Sequence, residues 1–147
     1  MIRSICVFLM LGVGFGCSGP SAPTAPERLP LRHLAILYGK YRNSHSGRPP
    51  KDEAQFKHYI GSLKANQLAA AGVSAVEIDS LFVSPRDGLA YEIRYGEPPP
   101  APGPDGPPAV VVERAGKNGK RMVAYSTGKV DEIDDAQYQM IRFTKGD

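Results

Sequence analysis

The chain has no Trp, two Cys, three His, no run of Lys or Arg, and no apolar stretch as long as a bilayer is thick. Each shortage excludes something. The longest apolar run, Ile5 to Phe15, is eleven residues; a spanning helix needs about 20. Basic and acidic residues nearly balance, 18 against 15, and no basic patch shows in the sequence, so no nucleic-acid partner is expected. His33, His45 and His58 contain no i, i+4 pair of the kind that ligates a metal on one helix face. G-x-S-x-G is absent, and "SHSG" has no acidic residue close by. "AGKNGK" lacks the G-x-x-x-x-G-K-[ST] spacing of a phosphate loop, and "GVGFG" has no strand before it and no βαβ unit after it. No catalytic residue and no cofactor site is expected.

What is present begins with a targeting segment. Arg3 supplies a short positive region, and Ile5 to Phe15 is the length of a signal h-region. Gly16-Cys17 then resembles a bacterial lipobox, in which the Cys becomes the acylated first residue. The family pattern has Leu three places before the Cys and a small residue two before; here Gly14 and Phe15 stand there. The expected division is a signal peptide over 1–16, a Pro/Ser-rich tether over 17–28 and a single domain over 29–147. "SGPSAPTAPERLP" carries four Pro and little that is apolar, so it suits a semi-rigid spacer. Cys6 leaves with the signal, so the mature chain has one Cys and no disulfide. Roughly 115 residues beyond the tether suffice for an apolar core. The expected location is outside the cytoplasm, lipid-anchored to a bacterial membrane and facing the periplasm or the cell surface. The partners implied are the membrane, through Cys17, and a protein or envelope polymer.

Periodicity divides the domain. Leu31, Leu34, Leu37/Tyr38 and Tyr41 recur at helical spacing, predicting a helix over 29–45 that ends before "GRPP". Asp52 and Gln55 have capping spacing for a second helix, with Phe56, Tyr59/Ile60, Leu63 and Gln67/Leu68 inward. Ser74 and Glu77 signal a short third helix. "LAYEIRY" then alternates, placing Leu89, Tyr91, Ile93 and Tyr95 on one face of a strand, preceded by the turn "SPRDG". Residues 96–108 hold seven Pro in thirteen positions, a surface loop that no sheet interior accepts. "AVVVER" and "RMVAYS" flank a Gly-containing hairpin loop, Lys129 to Ile133 form a third short strand, and Asp134/Asp135 start a C-terminal helix with Tyr138, Ile141 and Phe143. The fold class is α+β, a helical hairpin on a small antiparallel sheet with a short C-terminal helix. The expected core joins Leu34, Leu37, Tyr41, Phe56, Ile60 and Leu63 to Tyr91, Ile93, Val111, Val123 and Tyr125.

"GKRMVAYSTGKVDEIDDAQYQMI" resembles the closing segment of type II secretion pseudopilin-like proteins of planctomycetes, where two strands and a short helix end the chain. "LAILYGKYRNSHSGRPPKDEAQFKHYI" and "LFVSPRDGLAYEIRYG" are similar to small planctomycete lipoproteins of unknown function. The resemblance implies a sheet of that kind. It does not extend to filament assembly, because pilin-like subunits need a long apolar N-terminal helix with an early Glu, and no Glu precedes Glu27 here.

Several residues remain as site candidates. Tyr91 and Tyr95 share a strand face and would make either core aromatics or a binding platform. Arg86 and Asp87 of the turn, together with His45, would line a cleft if the domain bound a ligand or hydrolysed one. "DEIDD" gathers four carboxylates in five residues; Asp131, Asp134 and Asp135 are candidates for calcium, against ordinary charge at a helix start. Two functions stay open: a non-enzymatic envelope lipoprotein acting as an interaction or structural module, or a small ligand-binding or hydrolytic lipoprotein.

Overall fold

The computed structural model describes residues 25–73, 78–97 and 106–141. Cys17, Ser74 to Glu77, Phe143 and most of the Pro-rich loop lie outside them. Helix α1 (Ala25–Ser44) is followed by α2 (Glu53–Ser62), α3 (Ala65–Ala69) and a 3₁₀ turn (Ile78–Phe82). Strands β1 (Glu92–Ile93), β2 (Ala109–Val112), β3 (Lys120–Tyr125) and β4 (Val130–Asp134) form one antiparallel sheet in the order β1-β2-β3-β4, and α4 (Asp135–Ile141) closes the chain. The domain is α+β as the pattern implied. Among the described residues no helix is long and apolar enough to cross a membrane.

The helical spacing of α1 buries Leu31, Leu34, Ala35, Leu37, Tyr38 and Tyr41. The helix starts at Ala25, four residues earlier than the periodicity marks it, so residues 25–28 of the expected tether are helical. Pro26 sits in the first turn, where a missing N–H costs nothing. Helix α2 begins as its capping pair dictates: the Asp52 carboxylate accepts from Gln55 N (2.8 Å). It ends sooner than expected. Leu63 turns to extended backbone, and a new helix, α3, starts after Lys64, whose N–H donates to the Gln67 side chain (2.9 Å). Gly61 and Ser62 are weak helix formers at that break, and Leu63 is only half-buried. Tyr38 and Tyr41 meet Phe56 edge-to-face, and Tyr41 meets Tyr59, which makes α1 and α2 a packed pair. Phe56 also meets Phe82 of the 3₁₀ turn.

The sheet is apolar on both faces. Ile93, Val110, Val111, Met122 and Ala124 join the helices in one cluster. Ala109, Val112, Val123 and Ile133 form a second, covered by Tyr138 and Ile141 of α4. This corrects the expected core: Val123 and Tyr125 lie under α4, away from α1, because Val123 alternates with Met122 and Ala124. In β2 the register shifts between Ala109 and Val111, and that irregularity turns both Val110 and Val111 toward α1. The alternation of "LAYEIRY" holds for buried Tyr91 and Ile93 but fails at Leu89, which is exposed. Glu92 and Ile93 pair with β2, opposite Val112 and Val111, and Arg94 N donates to Val110 O (3.0 Å). Leu89 belongs instead to the preceding turn, its carbonyl accepting from Ser84 N (2.9 Å).

Two turns show why their residues are there. Asn118 and Gly119 both have positive φ (55° and 71°), and Lys117 and Lys120 exchange backbone hydrogen bonds across them, the geometry of a type I′ hairpin. In the β3–β4 turn, Gly128 has φ +82°, and a Cβ there would lie 2.8 Å from Ile36 Cγ1 of α1. Gly128→Ala should therefore lose about 1–2 kcal/mol to backbone conformation alone and more to the collision. Adding Ile36→Ala should recover the collision and not the backbone cost. Urea midpoints of wild type and the two variants, at unchanged m, separate the contributions; no loss in Gly128→Ala would mean that α1 does not rest on this turn.

Candidate functional site

The turn 84–88 and the end of β2 hold the densest group of polar side chains. Ser84 and Glu113 are the buried polar residues of the described chain, and Glu113 is wholly inaccessible. Glu113 follows Val112, where β2 leaves the ladder. Its N–H still donates to Met122 O (2.9 Å), but Met122 N donates to the Glu113 carboxylate (2.7 Å). The side chain thus takes the ladder position that a backbone carbonyl would otherwise fill. Its other oxygen accepts from Ser84 Oγ (2.8 Å), and Arg86 Nη1 forms an ion pair with the first at 3.5 Å, without a hydrogen bond. Arg86, its side chain 4% exposed, also donates to Glu132 of β4 (3.0 Å). Ser84 Oγ accepts in turn from Arg86 N (3.1 Å).

Asp87 completes the group from outside. Its carboxylate accepts from Leu89 N (3.0 Å), Ala115 N (3.1 Å) and Gly116 N (2.8 Å), tying the turn to the β2–β3 hairpin. The two acids are pushed in opposite directions. Burial raises the Glu113 carboxyl above its ordinary range, against the Met122 amide, the Ser84 hydroxyl and the Arg86 guanidinium, which lower it. Burial also raises Asp87, but its backbone amides outweigh this and hold it below the usual value. Tyr91 is buried beside the group, its hydroxyl without a hydrogen-bond partner, and burial with the Glu113 charge pushes its ionisation up.

The chemistry of this arrangement is that of a clasp. Every polar atom of Glu113 is directed at the chain, and no solvent reaches it. Arg86 and Asp87 are brought together here, 46 and 28 residues in sequence from the Glu132 and Ala115 they hold. His45 is not: it lies at the C-terminal end of α1, its ring stacked on Tyr41 (3.9 Å). Of the other candidates, Tyr91 borders the clasp from the core and the rest are dispersed. Tyr91 is a core residue and Tyr95 is half-buried with its hydroxyl covered. In "DEIDD", Asp131 pairs with Lys129 (2.6 Å), Asp134 caps α4 by accepting from Gln137 N (2.8 Å), and Asp135 pairs with Arg121 (3.1 Å). Among the described residues no three His, Cys, Asp or Glu side chains are grouped to hold a metal ion. Cys17 lies outside the described residues.

Two open, shallow cavities adjoin at the α1–α2 connection. One of about 390 Å³ is lined by Ser46, Gly47, Arg48, Pro49, Lys51 and Gly96. The other, about 480 Å³, is lined by Tyr41, His45, Ser46, Arg48, Pro49 and Gln55. Neither is lined by Arg86 or Asp87. Comparison with protein-family models, with curated proteins and with solved structures finds no match to this chain.

The clasp can be tested by its stranded partners. Arg86→Met should cost about 3–5 kcal/mol, because it leaves a carboxylate buried without its cation; Arg86→Met with Glu113→Gln should recover a large part of that. Additive losses in the double-mutant cycle would show that the pair does not interact. The lowered Asp87 pKa has its own signature. An acid with a depressed folded value stabilises above its ordinary 3.8 and loses that contribution as pH falls through the folded value. Asp87→Asn should be less stable than wild type at neutral pH, and its stability should fall less steeply on acidification, in denaturant titrations from pH 6 to about 2.

Proposed function

We propose that this chain is an exported lipoprotein, acylated at Cys17 and held at a bacterial membrane, whose folded domain is a non-enzymatic interaction module. The observation that carries the reading of the domain is the sealed state of its polar group. Glu113, Arg86 and Asp87 join a turn to a sheet, and the guanidinium nitrogens of Arg86 that make no hydrogen bond, Nε and Nη1, are buried with them. A hydrolase would need a nucleophile and a base in one open cleft. Here His45 stands in a shallow surface hollow, and Arg86 and Asp87 belong to the clasp. The anchor rests on the short apolar run, on Gly16-Cys17 and on the Pro-rich segment that leads into α1 at Ala25.

Replacing Cys17 with Ala in a bacterial host should move the protein from the detergent to the aqueous phase of a Triton X-114 partition and abolish incorporation of labelled palmitate. Stable anchoring takes more than one acyl chain, so the shift should be near complete. An unchanged partition and unchanged labelling would remove the anchor from the reading.

A further inference from the structure

We propose that the clasp is a proton-sensing device: Glu113 takes up a proton inside the fold as the surroundings turn from neutral to mildly acidic, and the turn 84–88 is held more firmly to the sheet in that state. The device goes beyond the reading of the domain as an interaction module and needs neither a ligand nor the anchor. It begins with a shortage of positive charge. Three carboxylates, Glu113, Asp87 and Glu132, meet at the clasp, which holds one guanidinium, that of Arg86. Glu132 takes it with a hydrogen bond (3.0 Å). Glu113 has it at 3.5 Å without one. Asp87 is served by three backbone N–H groups. The neighbouring arginines are engaged elsewhere, Arg114 with Glu92 (3.9 Å) and Arg121 with Asp135 (3.1 Å). Glu113 is also cut off from water, its side chain 0% exposed against 21% for Glu132. An ionised group so placed lowers its cost by taking a proton.

The hydrogen bonds around Glu113 accommodate that proton without losing a partner. Glu113 Oε2 goes on accepting from Met122 N (2.7 Å). Oε1, 2.8 Å from Ser84 Oγ, becomes an O–H and donates to it. Ser84 Oγ then accepts twice, from Glu113 and from Arg86 N (3.1 Å), as its two lone pairs allow. Its own O–H is released to donate to the nearby Tyr91 hydroxyl, which is buried and makes no hydrogen bond while Ser84 serves the carboxylate. The proton comes from solvent, and no covalent bond of the chain breaks. Burial, the largest influence on Glu113, raises its carboxyl above the ordinary 4.5, and the Asp87 charge adds to the rise against Met122 N, Ser84 and Arg86. An acid with a raised folded value binds its proton more readily folded than unfolded. The stability this adds is complete below 4.5 and is lost as pH rises through the folded value. Inside that window the folding equilibrium changes about tenfold per pH unit. Asp87, held low, acts in the other direction below 3.8, so the clasp is firmest in mild acid.

The test uses the full-length protein in detergent micelles, isotopically labelled at the glutamate carboxyl carbons and followed by NMR as pH is changed. Glu113 Cδ should titrate above 4.5, and Arg86→Met, which removes the cation, should move its midpoint higher still. Urea midpoints at constant m, from about pH 4 to 8, then read the effect on folding. His33, lowered by burial, opposes Glu113 over part of this range, so wild type is compared with Glu113→Gln, in which His33 is unchanged. The Gln side chain is neutral at every pH. The variant should therefore run parallel to wild type in acid and gain on it above the Glu113 midpoint, as ionised Glu113 weakens wild type. A wild-type Glu113 Cδ that titrates at or below 4.5 would overturn the device, and so would a difference between wild type and Glu113→Gln that stays constant with pH. Should either variant fail to fold, the wild-type Cδ titration decides alone.

Discussion

The rest of the domain hangs on one carboxylate. Glu113 sits where β2 ends and supplies, from its side chain, the acceptor that Met122 N needs to keep the ladder closed. The same carboxylate takes the Ser84 hydroxyl and faces Arg86, so the segment 84–89 has a fixed position on the sheet. That segment sets its neighbours in both directions. Before it, Phe82 of the 3₁₀ turn meets Phe56 and brings α2 into the core. After it, Tyr91 and Ile93 enter the cluster under α1. A buried charge is costly unless hydrogen bonds and a counter-charge are provided. Here a backbone amide, a hydroxyl and a guanidinium provide them, and Glu132 in turn holds the guanidinium from β4.

A four-stranded sheet with helices on one side only would leave an apolar face in water. This sheet avoids that with the short α4. Tyr138 of α4 packs over Val112, Val123 and Ile133 and donates its hydroxyl to Glu92 (2.7 Å), the outward residue of β1. Arg121 lies over the Tyr138 ring (4.1 Å) while pairing with Asp135 at the helix start. The acidic run "DEIDD" is therefore a spacing device. Strand alternation sends Asp131 and Glu132 to opposite sides, to Lys129 and Arg86, and the helix start uses Asp134 and Asp135. Residues so close in sequence do not converge, because a strand separates consecutive side chains by its pleat.

Much of this was legible in the sequence, and the limits are physical. Helix α1, the α2 cap and the β meander follow from signals that act over three or four residues, and local signals survive without tertiary context. Tyr91 and Ile93 follow from alternation for the same reason. The clasp was half visible. "SPRDG" reads as a turn, but nothing local says that Ser84 will meet a carboxylate 29 residues on. The one trace is Glu113 itself, a charged residue set directly against the run "AVVV", and a buried strand end can hold such an ion only beside a partner. The break after Ser62 escaped because Leu63 and Leu68 keep the helical period across it. The assignment of Val123 and Tyr125 to the helical side failed because a strand covered on both faces has no polar face to read.

Charge along α1 bears on how the domain is presented. The helix spans 20 residues, roughly 30 Å. Its N-terminal end is the end joined to the Pro-rich segment and, on the proposed reading, to the acylated Cys17. Its C-terminal end carries Arg42 and His45 and leads into Arg48 and Lys51. Cations at that end are favoured by the helix dipole whatever the function, which accounts for Arg42 and for its bond to Gly47 O. It does not account for Arg48 and Lys51, which lie beyond the helix and outside the last turn, where the dipole no longer acts. Exposed carboxylates stand beside them instead: Asp52 and Glu53 follow Lys51 directly, and Glu97 follows Gly96, whose N–H donates to Pro50 O (2.9 Å).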